Sequence, residues 1–216
     1  MKATITRHLY DQFRLPRGPL GRFAGRVMSR RSSNIERSRW TVGLLGLQPA
    51  ARVLELGYGP GLGIEAAVDA TPDGHVVGID HSSTMRAMAA RRNAEAIRRG
   101  SATLLVGDAQ DLPEGLGIFD AIFCCNVWLF WTDPDATIKR LGELLEPSGK
   151  LAITHLPRHG GATNDDTNEA AERIERQMHD AGLVGIERTY LPLDPAPAVC
   201  VIGQAGASIS QFGYCR

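Results

Sequence analysis

A glycine-rich segment follows the first strongly apolar run of the chain. That run, Arg52–Leu56, leads directly into the sequence GYGPG at 57–61. Glycine has no Cβ and lets the backbone approach a ligand closely, and a helix that follows presents free N–H groups at its start. A tight turn alone would also need glycine. The segment is therefore a candidate ligand-binding turn, to be weighed with the residues around it.

His155 is the candidate general base, because its side chain titrates near neutral pH and it ends an apolar run. The simpler interpretation is a hydrogen-bonded histidine at the end of a strand. Histidine, cysteine and carboxylate residues have no metal-ligand spacing, so we expect no metal site. A metal-dependent mechanism is thus unsupported by the sequence.

Two common phosphate-binding loops do not fit the glycine turn. A dinucleotide-binding loop requires G-x-G-x-x-G/A directly after the strand. Counted from Gly57 the last position is Leu62, and counted from Gly59 it is Ile64. A match counted from Gly61 begins five residues beyond the strand, inside the expected helix. A Walker A loop is excluded because the chain contains no GK[ST].

From residue 52 onward, short apolar runs alternate with helical patterns, which is typical of βαβ units and a parallel sheet. The patterns predict strands at 52–56, 75–80, 103–107, 118–126, 151–155, 186–191 and 198–202. They predict helices from about 62 to 70, from 82 to 99, from 133 to before Pro147, and from 166 to 181. A capping-box pattern at 33–36 predicts a further helix that ends near Leu47.

The last two predicted strands are joined by the proline-rich segment 192–197, which is too short for a crossover helix and permits only an antiparallel pair. The predicted fold class is therefore α/β: a three-layer, Rossmann-like, seven-stranded sheet, mostly parallel, with a C-terminal antiparallel hairpin. We expect a basic N-terminal lid or arm at 1–32, a binding domain at 33–204 and a tail at 205–216.

The motifs of this sheet, in order, resemble class I S-adenosylmethionine-dependent methyltransferases. The resemblance spans about residues 40–204, and the closest likeness is to the small-molecule methyltransferases of ubiquinone and menaquinone biosynthesis. Departures are Tyr58 and Ser148, which replace smaller residues. The matching segments are ELGYGPG at 55–61, VVGID at 76–80, DHSSTM at 80–85, VGDAQDLP at 106–113, FDAI at 119–122 and LEPSGKL at 145–151.

The resemblance implies S-adenosylmethionine as cofactor and assigns residues to its parts. Asp80 would bind the ribose hydroxyls, Met85 would lie beside the adenine, and Asp108 would reach the adenine amino group. Acids at three successive strand ends suit a ligand with a sulfonium cation, although each alone could be a solvated helix cap. The implied cofactor-binding residues are Glu55, Gly57, Tyr58, Gly59, Gly61, Asp80, His81, Met85, Asp108, Ala109 and Asn126.

Methyl transfer is an in-line displacement of an activated leaving group, so the protein mainly aligns the reactants and excludes water. A general base is optional; the candidate catalytic residues are His155 and Asn126. Enzymes that methylate nucleic-acid amino groups carry Asn/Asp-Pro-Pro-aromatic at the Asn126 position, and this chain has no proline there. The expected acceptor is a small apolar or aromatic metabolite. The alternative is a cofactor-binding protein with no methyl transfer or a non-methylating reaction.

Charge is unevenly distributed along a chain that is neutral as a whole. Residues 1–40 carry a net charge of +8 and the remainder carries −8. A basic arm for nucleic acid or a membrane is one interpretation, and a segment packed against an acidic body is another. No apolar stretch approaches the ~20 residues of a membrane span, and no signal-peptide core is present. We expect a cytoplasmic protein, without nucleic-acid or membrane partners, that could form a homodimer.

Overall fold

Seven strands build the core of the molecule. The structure, a computed structural model, describes residues 21, 23, 25–27 and 30–206. Most of the expected lid at 1–32 and of the tail at 205–216 lies outside these residues. The strands are β1 Arg52–Leu56, β2 His75–Asp80, β3 Ala102–Val106, β4 Phe119–Cys125, β5 Leu145–His155, β6 Val184–Leu191 and β7 Ala198–Gln204.

The strands form one sheet in the order β3-β2-β1-β4-β5-β7-β6. The pairs from β3 to β5 are parallel, and β7 is antiparallel to both β5 and β6. The predicted seven-stranded, mostly parallel fold with a closing hairpin is confirmed. The strand order reverses between β1 and β4, which is where open α/β sheets bind ligands.

Helices cover both faces of the sheet. One face carries an apolar cluster that includes Val42, Ile64, Met85 and Phe123, and the other carries a cluster with Ile138 and Ile174. The result is the expected three layers. The helices are α1 Ser32–Leu45, α2 Leu62–Ala70, α3 Ser83–Arg92, α4 Ala94–Arg98, α5 Pro134–Glu143 and α6 Asn164–Asp180, with a 3₁₀ turn at Trp128–Phe130.

The helix predicted over 82–99 is in fact two helices, α3 and α4, which meet at Asn93. The Asn93 side-chain amide donates to the carbonyls of Gly61, at 3.1 Å, and Ala89, at 3.0 Å. This contact ties the end of α3 to the start of α2, far away in sequence. The break is therefore a tertiary effect that the local apolar pattern does not contain.

The predicted capping box at the start of α1 is wrong. The N-cap of α1 is Arg31, and no side chain caps the helix. The helix predicted to begin at residue 166 begins earlier, because Thr163 is the N-cap of α6 and Asp166 is its capping-box partner. By contrast, the helix predicted from about residue 133 is confirmed, and of the two candidate caps, Thr132 and Asp133, it is Asp133 that accepts from the Ala136 N–H.

No helix in the described part of the chain is both long and apolar enough to cross a bilayer.

Candidate active site

The glycine turn between β1 and α2 lies at the carboxyl edge of the sheet. The Gly57 N–H donates to the Ile79 carbonyl at 2.7 Å, and a Cβ at Gly57 would lie 2.3 Å from Val127 Cγ2. Gly59 has a φ of +50° and no atom within 4 Å of the position its Cβ would take. Gly57 is thus required by packing, whereas Gly59 faces open space that a ligand can approach.

The side chain of Asp80 holds this turn from the end of β2. One carboxylate oxygen accepts from the Gly59 N–H and the other from the Ser82 N–H, both at 2.8 Å. Burial raises the pKa of Asp80, and these two hydrogen bonds oppose the rise. Each oxygen retains a lone pair for a further donor. Asp80 can therefore position the turn and accept hydroxyl groups of a ligand at the same time.

Glu55 is buried behind the same turn, with 3% of its surface exposed. The Ile64 N–H donates to its carboxyl group, but Oε2 has no hydrogen-bond partner among the described residues. Burial and, secondarily, the charge of Asp80 raise the pKa of Glu55 to about 8. A buried carboxyl group with a free oxygen suits a cationic ligand, whose charge would favour the ionised form.

Tyr58 points into the interior, away from the open side of the turn. Its hydroxyl donates to the Leu105 carbonyl at 3.0 Å, and the side chain is 2% exposed. The ring lies over Gly78 on β2, where a Cβ would come within 2.7 Å of Tyr58 Cδ1. The departure from the usual small residue at position 58 is thus accommodated by Gly78.

The loop after β3 places Asp108 at the same edge. Its side chain is exposed, and Oδ1 accepts from the Gln110 N–H at 2.9 Å. Ala109 packs partly against the core. The Gln110 side-chain oxygen accepts from the Thr132 N–H and hydroxyl and from the Asp133 N–H. Gln110, which the sequence analysis missed as a structural residue, therefore joins the loops after β3 and β4.

The structure separates the next two predicted residues by exposure. His81 is exposed directly beside Asp80, whereas Met85 is 1% exposed and belongs to the core under α3. A Cβ at Gly25 would lie 2.7 Å from Met85 Cε and 2.5 Å from Met88 Sδ. The chain at residue 25 thus packs over α3, and Met85 lies beneath it.

Asn126 joins the ends of β4 and β5. Its side-chain oxygen accepts from the Leu156 N–H at 2.8 Å, and its amide donates to the Leu156 carbonyl at 2.9 Å. The residue has a φ of +59°. Because both polar groups of the side chain bind the backbone, Asn126 sets the spacing of the two strand ends.

His155 lies beside Trp128, with the ring centroids 5.9 Å apart in an edge-to-face arrangement. Its Nδ1 is buried and has no hydrogen-bond partner within the described residues. Burial, followed by the charges of Arg37 and His159, lowers the pKa of His155 to about 4. The imidazole is therefore neutral at pH 7 and offers a lone pair rather than a charge.

A buried polar stripe on α1 was not predicted from the sequence. The stripe consists of Asn34, Arg37, Ser38 and Thr41, which are all at most 8% exposed. Thr41 Oγ1 shares a hydrogen bond of 2.7 Å with Thr154 Oγ1, next to the end of β5. Polar residues at helical spacing are typical of a solvent-exposed face, so the sequence of α1 gave no signal that this stripe is buried.

The comparisons with known proteins agree with this geometry. Residues 53–149 match the methyltransferase domain family. The uncharacterized methyltransferase YdaC of Bacillus subtilis is 28% identical over 185 residues, which are 86% of this chain and 99% of that protein. A trans-aconitate 2-methyltransferase of Variovorax paradoxus is 34% identical over 66% of this chain, but over only 51% of its own length.

A solved structure shares the fold. The N-methyltransferase NodS of Bradyrhizobium japonicum superposes with a TM-score of 0.66 at 16% identity, over 83% of this chain and 90% of NodS. The fold and the glycine turn at its switch point thus define a class I methyltransferase architecture. The domain match, the methyltransferase relatives and the shared fold together support a class I S-adenosylmethionine-dependent methyltransferase.

The predicted enzyme class and the predicted cofactor, S-adenosylmethionine, are confirmed. The likeness to the quinone-biosynthesis enzymes stays a prediction. The residues at the turn fit this cofactor, since Glu55 has a free buried oxygen and Gly59 faces open space. Among residues 30–206 and the few described before them, no group of three or more His, Cys, Asp or Glu side chains could hold a metal ion.

Proposed function

We propose that this enzyme methylates a small molecule that binds at the carboxyl ends of β4 and β5. The observation that carries the proposal is the pair of buried acids, Glu55 and Asp80, on either side of the glycine turn. The charge of Asp80 adds to the burial that raises the pKa of Glu55, and a bound cation would oppose that rise. A cationic cofactor relieves the repulsion between the two acids, which makes the turn selective for it.

Each acid at the turn binds a different part of the cofactor. Asp80 accepts from the ribose hydroxyls, and Asp108, at the start of the loop after β3, accepts from the adenine amino group. Glu55 faces the cationic end of the cofactor. When bound, S-adenosylmethionine would supply a methyl group on a sulfonium sulfur, and the neutral thioether product would leave without protonation by an acid. The chain then has to hold the acceptor in line and exclude water.

Asn126 and His155 serve the acceptor side in different ways. Asn126 is a positioning residue, because its side chain bonds the Leu156 backbone and fixes the end of β4 against β5. His155 is neutral at pH 7 and can accept a proton through a free nitrogen, although its low pKa makes it a weak base. This arrangement suits an acceptor that needs orientation more than deprotonation.

The identity of the acceptor is the finer part of the proposal. The Variovorax relative is named for trans-aconitate, a small molecule, which supports a small-molecule acceptor for this chain. An apolar or aromatic acceptor body stays a prediction. Trp128 and Trp131, which could have lined an aromatic pocket, are buried in the core instead. A cytoplasmic location, the absence of a nucleic-acid partner and a homodimer also stay predictions.

Calorimetry and a turnover assay test the proposal together. We expect S-adenosylmethionine and S-adenosylhomocysteine to bind, NAD to show no binding, and S-adenosylhomocysteine to form when a suitable acceptor is present. Binding without product across a broad acceptor panel would favour the non-methylating alternative. Tight binding of NAD, with neither adenosyl ligand bound, would refute the proposal.

A further inference from the structure

The buried face of α1 carries charge where core packing would put apolar side chains. Arg37 is 6% exposed, and its Nε and Nη1 have no hydrogen-bond partner among the described residues. The Cys125 thiol interacts with the Arg37 side chain, but sulfur is a weak acceptor. Two desolvated N–H groups of a charged side chain are thus left without a strong acceptor, which is unfavourable. The retention of Arg37 at this position indicates that an acceptor is supplied from elsewhere.

The position of Arg37 places it over the ends of β4 and β5. Thr41, one helical turn further along α1, contacts the Thr154 hydroxyl at 2.7 Å and accepts from the Cys125 thiol at 3.6 Å. The charge of Arg37 also acts on Cys125 and on His155, the last residue of β5. The guanidinium therefore lies at the edge of the sheet where the acceptor is expected.

Further cations surround the same place. Arg158 donates from Nη2 to Asn34 Oδ1 at 2.5 Å, and Arg37 and Arg31 act on it electrostatically. Burial and these two charges lower the pKa of Arg158 to about 10. Two acids lie near these groups: Glu55 acts electrostatically on Cys125, and Asp166, which caps α6 through Thr163, lies 3.4 Å from His159. Burial raises the pKa of Glu55 to about 8, so its carboxyl group is largely neutral at pH 7. The cluster thus has a surplus of positive charge.

We propose that Arg37, supported by Arg158, binds an oxyanion of the methyl acceptor, a carboxylate or a phosphate. The unpaired N–H groups at Nε and Nη1 of Arg37 can each donate a charge-assisted hydrogen bond to an oxygen of an anion. The neutral His155 lies at the same strand ends and can accept from a hydroxyl or amine of the acceptor. The inference rests on the proposed function, because it places the anion beside the bound cofactor.

The test uses the full chain saturated with S-adenosylhomocysteine. Three probes that share a phenyl ring are titrated by calorimetry in phosphate-free buffer: benzoate, phenyl phosphate and the neutral benzamide. We expect one of the two anions to bind and benzamide to bind at least about tenfold more weakly, since it lacks the negative charge and a second acceptor oxygen. The preferred anion distinguishes a carboxylate from a phosphate acceptor.

Substitutions then assign the binding to Arg37. Arg37→Met should lower the affinity for the anion at least about tenfold, and Arg37→Lys should restore part of it. Arg39→Met, on the exposed side of α1, should leave the affinity unchanged. Affinity for S-adenosylhomocysteine should stay unchanged in all three variants. If that ligand fails to bind the wild-type protein, the proposed function fails; if it binds and neither anion does, only the present inference fails.

A different result would assign Arg37 to the protein's own structure. Asp11 is the one acid in residues 1–20. If Asp11→Asn and Arg37→Met lower the melting temperature equally and neither anion binds, the partner of Arg37 is internal and the inference is overturned. We expect instead that Arg37→Met leaves the melting temperature unchanged or raises it, because it removes an uncompensated buried charge.

Discussion

Glu55→Gln should stabilise the folded enzyme at neutral pH and weaken its binding of the cofactor. The pKa of Glu55 is about 8 in the folded protein and 4.5 in its ordinary state. A carboxyl group with a raised folded pKa loses stability as pH rises from the unfolded pKa through the folded one. Wild-type stability at this position is thus highest below pH 4.5, falls between pH 4.5 and about 8, and is constant above that.

The size of the effect follows from that interval. At pH 7 the folded protein holds a proton that the unfolded chain would have released over about two and a half pH units, or about 3 kcal/mol. Glutamine keeps an oxygen for the Ile64 N–H but adds an amide that lacks an acceptor, which costs about 1 kcal/mol. A net gain of about 2 kcal/mol remains. For a chain of this length it corresponds to a melting temperature higher by roughly 4–8 °C.

The assay is urea unfolding of both proteins at several pH values between 5 and 8. The informative quantity is the difference between their free energies of unfolding, because the titration of groups that do not interact with Glu55 cancels. We expect this difference to grow by about 3 kcal/mol from pH 5 to 8. Glu114→Gln, at an exposed position, is the matched control and should give a constant difference. A constant difference for Glu55→Gln as well would refute the reasoning.

Three further predictions concern the cofactor side. Asp80→Ala should weaken the binding of S-adenosylmethionine by about 1–3 kcal/mol, because charge-assisted hydrogen bonds are lost. Calorimetry that shows wild-type affinity for it, or an equal loss for the exposed control Asp69→Ala, would reject this. Binding of S-adenosylmethionine should release protons below pH 8, because its positive charge lowers the raised pKa of Glu55. For the same reason its affinity should increase as the pH rises towards 8. A Glu55→Gln variant that still releases protons on binding would contradict the assignment. Gly78→Ala should destabilise the fold by about 1–3 kcal/mol, since the added Cβ would lie 2.7 Å from the Tyr58 ring. Urea unfolding measures this change, and a loss below the experimental error would show that the ring can shift.

The strands and the cofactor edge were predictable because their signals are local. Continuous apolar runs mark strands buried on both faces, and β1 and β2 have the predicted bounds Arg52–Leu56 and His75–Asp80. The ordered motifs likewise place Glu55, Asp80 and Asp108 at strand ends. Local signals fail where a distant contact decides the outcome, as at Asn93, where a bond to Gly61 divides one predicted helix into two.

The acceptor side escaped prediction for a physical reason. Polar residues at helical spacing usually indicate a solvent-exposed face, and Arg37 read alone is such a residue. Its burial depends on how α1 packs over β4 and β5, which no pattern within α1 encodes. Similarly, Asn126 was predicted at the pocket from its place after β4, but its two bonds to Leu156 follow from the approach of the two strand ends.

Acids at one half of the sheet edge and arginines at the other assign the cofactor and the proposed acceptor to different places. Acids flank the turn after β1 and β2, and arginines lie over the ends of β4 and β5. A sulfonium cofactor bound on the arginine side, or an anionic acceptor bound on the acid side, would meet like charge at short range in a desolvated site, which is costly. Each reactant is therefore excluded from the other's place. That exclusion requires both sets of charges, so neutralising Arg37 should relax selectivity for the acceptor and leave the cofactor in its orientation.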